Sequence, residues 1–248
     1  MVSAIRPRKN SLFRSYRDKK RVLAANLDHL LLVSAVTPSF NTYFVDRVLV
    51  LCALQNIPVT LIVNKIDLDP SPVLPFIRLY EDLGLPTLLT SIKKSESLVS
   101  LREMLCDPAL SIAALAGISG VGKSSLLNML IPGLALKTRV LSTKIQQGRH
   151  TTSQAIAHPF PRPPLSNLLI IDLPGVQAFG VAGLQARDVA RAFPEFVALA
   201  SHCQFTDCLH VAEPNCAIKS ALAQGRIVPS RYESYLGMIK EIKSARPY

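Results

Sequence analysis

A glycine-rich stretch decides the fold of this chain: Gly117-Ile118-Ser119-Gly120-Val121-Gly122-Lys123-Ser124. It matches the pattern G-x4-G-K-[ST], whose glycines let backbone N–H groups surround phosphate oxygens at the start of a helix. An apolar run precedes it and a helical pattern follows it, as a phosphate loop requires. We predict that Lys123 reaches the β- and γ-phosphates, that Ser124 ligates Mg²⁺, and that Ser125 helps to bind the α-phosphate.

A base-binding loop is predicted upstream, where Asn64-Lys65-Ile66-Asp67 follows a β-branched apolar run. The Asp67 carboxylate can accept two hydrogen bonds from guanine N1–H and its exocyclic amine, which adenine does not offer there. Lys65 would lie along the purine face, Asn64 would brace the loop, and Thr90-Ser91 would make a second contact to the base. Alone, this tetrapeptide also fits a polar turn that closes a strand. Its combination with a complete phosphate loop favours guanine recognition.

A third element, Asp172-Leu173-Pro174-Gly175, ends another apolar run. We expect Asp172 to hold Mg²⁺ through water and the Gly175 N–H to sense the γ-phosphate. The next residue is Val176, which cannot orient an attacking water as glutamine does in many GTPases. We therefore expect slow intrinsic hydrolysis, or hydrolysis that depends on another residue.

A candidate first switch lies between these two elements, at Gly148-Arg149-His150-Thr151-Thr152. Thr151 or Thr152 could ligate Mg²⁺ once GTP orders the loop, and His150 could place water. The alternative is an ordinary polar surface loop. With Lys123, these three residues are the candidate catalytic set.

Near the C-terminus, Cys203-x4-Cys208-x-His210-x5-Cys216 offers three thiols and an imidazole. This donor set is typical of a closed, tetrahedral, structural zinc site. His202 is a competing ligand, although it adjoins Cys203, and the alternative is a group of unrelated cysteines.

Composition indicates a polyanionic partner. The 248 residues carry a formal charge of +11 with a pI near 9.7, and residues 1–21 hold eight Lys or Arg against one Asp. An excess of this size favours RNA or DNA over lipid, although a solvated basic tail is the alternative. The absence of Trp favours phosphate contacts over base stacking. No apolar run approaches the ~18 residues of a membrane-spanning helix.

Continuous apolar runs alternate with helical patterns, which predicts an α/β domain with a three-layer, parallel sheet. We expect strands at 27–36, 57–63, 86–90, 112–118 and 168–171, and helices at 42–55, 73–83, 97–105 and 123–130. Residues 137–160 show no clear long element, and 159–164 read as a stiff connector. The predicted domains are a basic segment at 1–21, a nucleotide-binding domain at 22–183 and a helical zinc-binding domain at 184–248. The last should hold helices at 184–193, 217–224 and 230–245.

The order of these loops, base before phosphate, resembles a circularly permuted GTPase. Together with the Cys/His segment, which contains Phe205 and Glu213-Pro214, it is similar to the RsgA (YjeQ-type) ribosome biogenesis GTPases from residue 22 onward. The resemblance implies a circularly permuted P-loop GTPase domain with a small zinc-binding domain, using GTP/GDP, Mg²⁺ and one structural Zn²⁺. It also implies late maturation of the 30S ribosomal subunit, hydrolysis stimulated by that subunit, contact with 16S rRNA and His150 as a catalytic candidate.

The N-terminus departs from this pattern. The family begins with a complete OB-fold, whereas residues 1–21 resemble only its last strands, with Arg6–Asn10 similar to the final hairpin. We expect a remnant of that fold, acting within a cytoplasmic monomer that binds no membrane. Two other hypotheses stay open: an RNA-binding module with a vestigial nucleotide site, and a GTPase that serves another RNA-linked process.

Overall fold

A computed structural model describes residues 7–16, 19–136, 155–173 and 179–245. The strands within these ranges are β1 (Ser11–Tyr16), β2 (Lys19–Ala25), β3 (His29–Ala35), β4 (Val59–Asn64), β5 (Thr87–Leu89), β6 (Ile112–Gly117), β7 (Ile156–Phe160) and β8 (Leu168–Asp172). The helices are α1 (Thr42–Ala53), α2 (Leu74–Asp82), α3 (Val99–Leu105), α4 (Lys123–Leu130), α5 (Ala186–Arg191), α6 (Pro194–Ala200), α7 (Ala217–Ala223) and α8 (Pro229–Ser244). A 3₁₀ turn at Ser95–Leu98 leads into α3.

The central sheet has the strand order β5-β4-β3-β6-β8-β7, and β1 and β2 form a separate two-stranded sheet. Neighbouring strands from β5 to β8 are parallel, so the α/β prediction is confirmed. In the register, Leu32 of β3 lies opposite Leu61 of β4 on one side and Ala116 of β6 on the other. Strand β3 is therefore central, with the base-loop strand and the phosphate-loop strand as its two neighbours.

Strand β7 was not predicted from the sequence, in which residues 137–160 show no clear long element. It is antiparallel to β8 and contains Pro159, which has no N–H to donate. An edge strand tolerates a proline, because one side of the strand has no neighbour to pair with. In the sequence, Pro159 looks like part of the proline-rich connector. The predicted connector 159–164 is thus shorter than expected, because Pro159 and Phe160 belong to β7.

The core explains the continuous apolar runs. Consecutive residues Leu30, Leu31, Leu32 and Val33 of β3 are each at most 1% exposed, so the strand is covered on both faces. On one face, Leu31 and Val33 pack with Leu101 of α3 and Leu126 of α4. Helix α4 has the predicted bounds, and it carries the phosphate loop at its first turn.

Contacts divide the chain into two compact units, one of residues 1–13, 22–40 and 55–177, the other of 14–21, 41–54 and 178–248. Helix α1 is thus grouped with the C-terminal helices, whereas our domain boundaries placed it with the sheet. None of the described helices is long and apolar enough to cross a membrane.

The second unit is helical. Its core contains Phe193, Phe196, Tyr235 and Met238, and its helix α8 contacts both α1 and α5. The predicted helix 184–193 is shorter, at Ala186–Arg191, and α6 follows almost at once. Proline is accepted at the first position of a helix but not in its interior, so Pro194 starts a new helix here.

A buried charge network lies inside this unit. The Arg231 guanidinium, 3% exposed, pairs with the fully buried Asp46 of α1. Its Nε also donates to Glu195 Oε1 at 2.7 Å, and its plane lies over the Phe193 ring at 4.4 Å from the centroid. Removing charged groups from water is costly, and this network offsets that cost with ion pairs and an aromatic face.

Candidate nucleotide site and metal cluster

The predicted nucleotide-binding residues meet at one edge of the sheet. Asn64 ends β4, Gly117 ends β6 and Asp172 ends β8, all parallel strands of one sheet. In open α/β sheets, ligands bind outside the carboxyl ends of the strands. The structure therefore brings together elements that are more than fifty residues apart in sequence.

The phosphate loop runs from the end of β6 to the start of α4 and uses its glycines for close approach. Gly122 has φ +97°, and a Cβ there would lie 2.4 Å from Asn64 Nδ2. A Cβ on Gly117 would lie 2.4 Å from the Val33 carbonyl oxygen. Any side chain at these positions would displace the loop or its neighbours, which explains glycine at both.

The base loop is hydrogen-bonded to the phosphate loop. Asn64 Nδ2 donates to the Val121 carbonyl at 2.9 Å, and Lys65 Nζ donates to the Gly120 carbonyl at 2.6 Å. Lys65 Nζ also donates to the carbonyl of Thr37, at 2.7 Å. The bracing role predicted for Asn64 thus has a direct structural counterpart. Burial lowers the pKa of Lys65, and the charge of Asp67 partly offsets that effect.

The Asp67 carboxylate is held by two side chains. The Ser91 hydroxyl donates to Asp67 Oδ1 at 2.6 Å, and Lys93 Nζ lies 2.8 Å from Oδ2. The hydrogen bonds from Lys93 and from Ser91 lower the pKa of Asp67 to about 2. Thr90 is fully buried, and its hydroxyl contacts Asn64 Oδ1 at 3.3 Å. Lys93 was not predicted from the sequence, because only the folded loop places its ammonium next to Asp67.

Lys123 and Asp172 are the charged residues in the part of the site that is predicted to bind the phosphates. Lys123 Nζ donates to the carbonyls of Gly117 at 2.7 Å and Ile118 at 3.2 Å. Burial lowers the pKa of Lys123, an effect that the Asp172 charge opposes. Burial raises the pKa of Asp172, while the charges of Lys123 and His158 lower it.

This edge of the sheet fits Mg²⁺. Asp172 Oδ1 is buried and has no hydrogen-bond partner among the described residues. A carboxylate with unused acceptor capacity is the oxygen chemistry that Mg²⁺ prefers, and Ser124, in the first turn of α4, carries a hydroxyl that can serve as a second ligand. The candidates Gly175, His150, Thr151 and Thr152 lie outside the described residues.

The Cys/His cluster lies in the loop between α6 and α7. The donor atoms of its four members all lie within 4.8 Å of one another: Cys203, Cys208, His210 and Cys216. His210 Nδ1 lies 3.4 Å from the sulfur of Cys216 and 3.6 Å from that of Cys203. The competing His202 is exposed and is not part of the group.

The loop around the cluster is fixed by a carboxylate and a tyrosine. The Glu213 carboxylate accepts backbone N–H bonds from Leu209 at 3.0 Å and from Val211 at 2.8 Å. The Tyr232 hydroxyl donates to the His210 carbonyl at 2.7 Å. In the sequence, Glu213 stood out only as part of the segment that resembles the family, and its hydrogen bonds to the loop were not predicted.

The donor chemistry of the cluster fits one zinc ion. Burial, together with the neighbouring thiols, raises the pKa of Cys208 to about 12. Thiolates packed this closely therefore need a cation, and three thiolates with one imidazole are a common structural zinc set.

Known proteins resemble the chain over almost its whole length. A sequence model of the RsgA GTPase family matches residues 5–182. The small ribosomal subunit biogenesis GTPase RsgA of Gemmatimonas aurantiaca is 39% identical, with 97% of this chain and 78% of that protein covered. The protein of the same name from Actinobacillus succinogenes is 34% identical, with 100% and 72% covered.

Two solved structures share the fold. The crystal structure of YjeQ from Thermotoga maritima has a TM-score of 0.74 and 32% identity, covering 98% of this chain and 79% of that one. The crystal structure of YloQ, described as a circularly permuted GTPase, has a TM-score of 0.69 and 27% identity, covering 96% and 80%. Loop order, sheet, Cys/His cluster and these similarities agree, and the chain belongs to the RsgA GTPase family.

Proposed function

We propose that this chain binds GTP and hydrolyses it in the biogenesis of the small ribosomal subunit. The GTPase activity follows from membership in the RsgA GTPase family, and the role in small-subunit biogenesis is inferred from the names of the curated relatives. One observation supports the nucleotide site most strongly: Asn64 and Lys65 of the base loop donate to carbonyls of the phosphate loop. A polar turn that only closed a strand would have no reason to make these bonds.

In the proposed complex, Asp67 accepts the guanine N1–H and amine, and Lys65 lines the purine. The backbone of the phosphate loop surrounds the phosphates, and the Lys123 ammonium neutralises the β- and γ-oxygens. The nucleotide-binding residues are Asn64, Lys65, Ile66, Asp67, Thr90, Ser91, Gly117, Ile118, Ser119, Gly120, Val121, Gly122, Lys123, Ser124, Ser125, Asp172 and Gly175.

Two metals complete the proposal. Ser124 and Asp172 would hold Mg²⁺, which supplies positive charge to the phosphate oxygens when bound. Cys203, Cys208, His210 and Cys216 would hold a structural Zn²⁺. For the chemical step we retain His150 as the residue that places water, with Thr151 and Thr152 as switch threonines.

We further propose that the second unit contacts 16S rRNA through a cleft beside the Cys/His cluster. The lining of the cleft includes Arg187, Arg191 and Phe205, together with Cys208 and His210 of the cluster itself. Both arginines are exposed, and neither side chain has an ion pair or a hydrogen bond with the described residues. Phe205 is 41% exposed, and no carboxylate belongs to the described lining. Exposed arginines beside an exposed ring favour phosphate and base contacts of single-stranded RNA.

We propose a monomer acting in the cytoplasm, where bacterial small subunits mature. We also retain 22–183 and 184–248 as the domain boundaries. Limited proteolysis with mass spectrometry tests the boundaries, and light scattering tests the oligomeric state.

The decisive experiment is the GTP hydrolysis rate with and without purified 30S subunits. We expect slow hydrolysis alone and stimulation by the subunits, with Lys123→Ala as the inactive control. No stimulation, together with no subunit binding in the presence of a GTP analogue, would contradict the proposal. No hydrolysis above background would instead favour the RNA-binding module with a vestigial nucleotide site.

The RNA cleft is tested with Arg187→Glu/Arg191→Glu, and with Lys240→Glu as an exposed control in the same unit. Losing two phosphate contacts should reduce the salt dependence of subunit binding by a slope of about 2. Phe205→Ala should weaken binding without changing that slope. If the double variant binds like the control, the cleft does not carry the RNA contact. If the double variant binds protein-free rRNA normally but no longer binds whole subunits, the cleft contacts a ribosomal protein and not the rRNA.

A further inference from the structure

A histidine lies next to Asp172 on the edge of the sheet. In the β7–β8 pairing, His158 lies opposite Ile170 and Ile156 lies opposite Asp172. Opposite residues share a face, and residues two apart in one strand also share a face. His158 and Asp172 are therefore diagonal neighbours on the same side of the pair.

Both side chains hold an unsatisfied buried polar atom. His158 is 8% exposed. Its Nε2 and Asp172 Oδ1 are buried without a hydrogen-bond partner among the described residues. Buried polar side-chain atoms nearly always have partners, so two unsatisfied atoms at adjacent positions need an explanation.

The surroundings argue against a purely packing role. The opposite residue Ile170 and the next inward-facing pair, Phe160 with Leu168, belong to the apolar core. An aliphatic side chain at position 158 would continue that core without leaving a nitrogen unsatisfied. The imidazole lies between the apolar core and the Asp172 carboxylate at the end of β8.

His158 Nε2 and Asp172 Oδ1 do not bond to each other in this structure. We propose that His158 is a positioning residue for Asp172, and that the Nε2–H of His158 bonds to the carboxylate once the Mg²⁺–nucleotide complex is bound. Groups that orient a metal-binding carboxylate act on metal affinity rather than on folding. The inference rests on the proposed nucleotide site and extends it to a residue that none of its sequence motifs includes.

The test compares three variants, His158→Gln, His158→Asn and His158→Leu, in the full chain. Glutamine places an amide near the Nε2 position, asparagine places it near Nδ1, and leucine has no donor. The measurement is binding of a fluorescent GDP analogue, titrated with Mg²⁺ and repeated in EDTA. We expect half-saturation to need about 10- to 100-fold more Mg²⁺ for the Leu and Asn variants. The Mg²⁺ concentration that the Gln variant needs should stay within about 3-fold of that of the unchanged chain. In EDTA, all variants should bind the GDP analogue with equal affinity.

Phe160→Leu is the matched control, because it changes the same face of β7 without touching the donor. It should lower the melting temperature while leaving the Mg²⁺ dependence unchanged. If His158→Leu does not fold, the Gln and Asn variants decide the question alone. Equal Mg²⁺ dependence in all folded variants, or an equal loss in Gln and Asn, would overturn the inference and leave the proposed function standing. Failure of the unchanged chain to bind GDP would overturn both.

Discussion

The nucleotide loops and the Cys/His cluster are held in place by different means. The loops extend from strands of a large apolar sheet, and side chains such as Asn64 and Lys65 connect them through backbone carbonyls. The cluster lies in a loop with no strand or helix of its own between α6 and α7, held by Glu213, Tyr232 and its own four donors. The fold shapes the first site, whereas we expect the second to depend on a bound metal ion for its shape. Four perturbations of decreasing expected effect distinguish these two ways of holding a site.

Metal removal should have the largest effect. Binding of a structural zinc contributes on the order of 10 kcal/mol to the folding of small zinc domains, so chelation should unfold the cluster loop and the helices around it. Nucleotide binding at the sheet should persist. Hydrogen exchange with and without a chelator, alongside GDP binding, measures both. Metal analysis that finds no zinc in the purified chain would contradict the expectation.

Replacing Asp67 should alter base choice without unfolding anything. In Asp67→Asn, an amide N–H donor faces the exocyclic amine of guanine, and GTP affinity should fall by about 1000-fold or more. The affinity for xanthine nucleotides, which carry a carbonyl in place of that amine, should rise. Asp69→Asn is the control, because Asp69 contacts only Ser71 among the described residues. Retained GTP affinity would show that Asp67 does not read the base.

Breaking the Arg231 network tests the helical unit apart from its metal. Arg231→Met leaves the buried Asp46 carboxylate without its guanidinium, at a cost of about 3–5 kcal/mol. Adding Asp46→Leu should recover most of that loss, because a pair of apolar residues needs no partner charge. Chemical denaturation of the metal-loaded chain gives both values. The exposed Arg226→Met is the control and should change stability by less than about 0.5 kcal/mol.

Lys93→Ala should have the smallest effect. Lys93 is 71% exposed, so its pair with Asp67 should contribute less than about 1 kcal/mol. The pair does set the titration of Asp67. A lowered pKa contributes stability that is present above the ordinary pKa of 3.8 and lost as the pH falls through about 2. In the variant, NMR titration should find the Asp67 pKa nearer its ordinary value. Lys94→Ala should leave it at about 2.

The sequence predicted what depends on local pattern. The strand before the phosphate loop, the bounds of α4 and the parallel order follow from apolar runs and glycine spacing. Strand β7 was missed because Pro159 and two exposed residues hide its alternation, and only pairing with β8 makes it a strand. Lys93 was missed because its contact with the Asp67 carboxylate arises only in the folded loop, and the proposed role of His158 depends on the pairing of β7 with β8.

The bonds from Asn64 and Lys65 to the phosphate loop also have a kinetic meaning. They connect the loop proposed to bind the base to the loop proposed to bind the phosphates. Because the two loops are joined, we expect the base and the phosphates to leave together, and spontaneous dissociation of the nucleotide should be slow. A partner that accelerates nucleotide exchange would have to weaken these contacts, including the second Lys65 bond, to the carbonyl of Thr37 between β3 and α1.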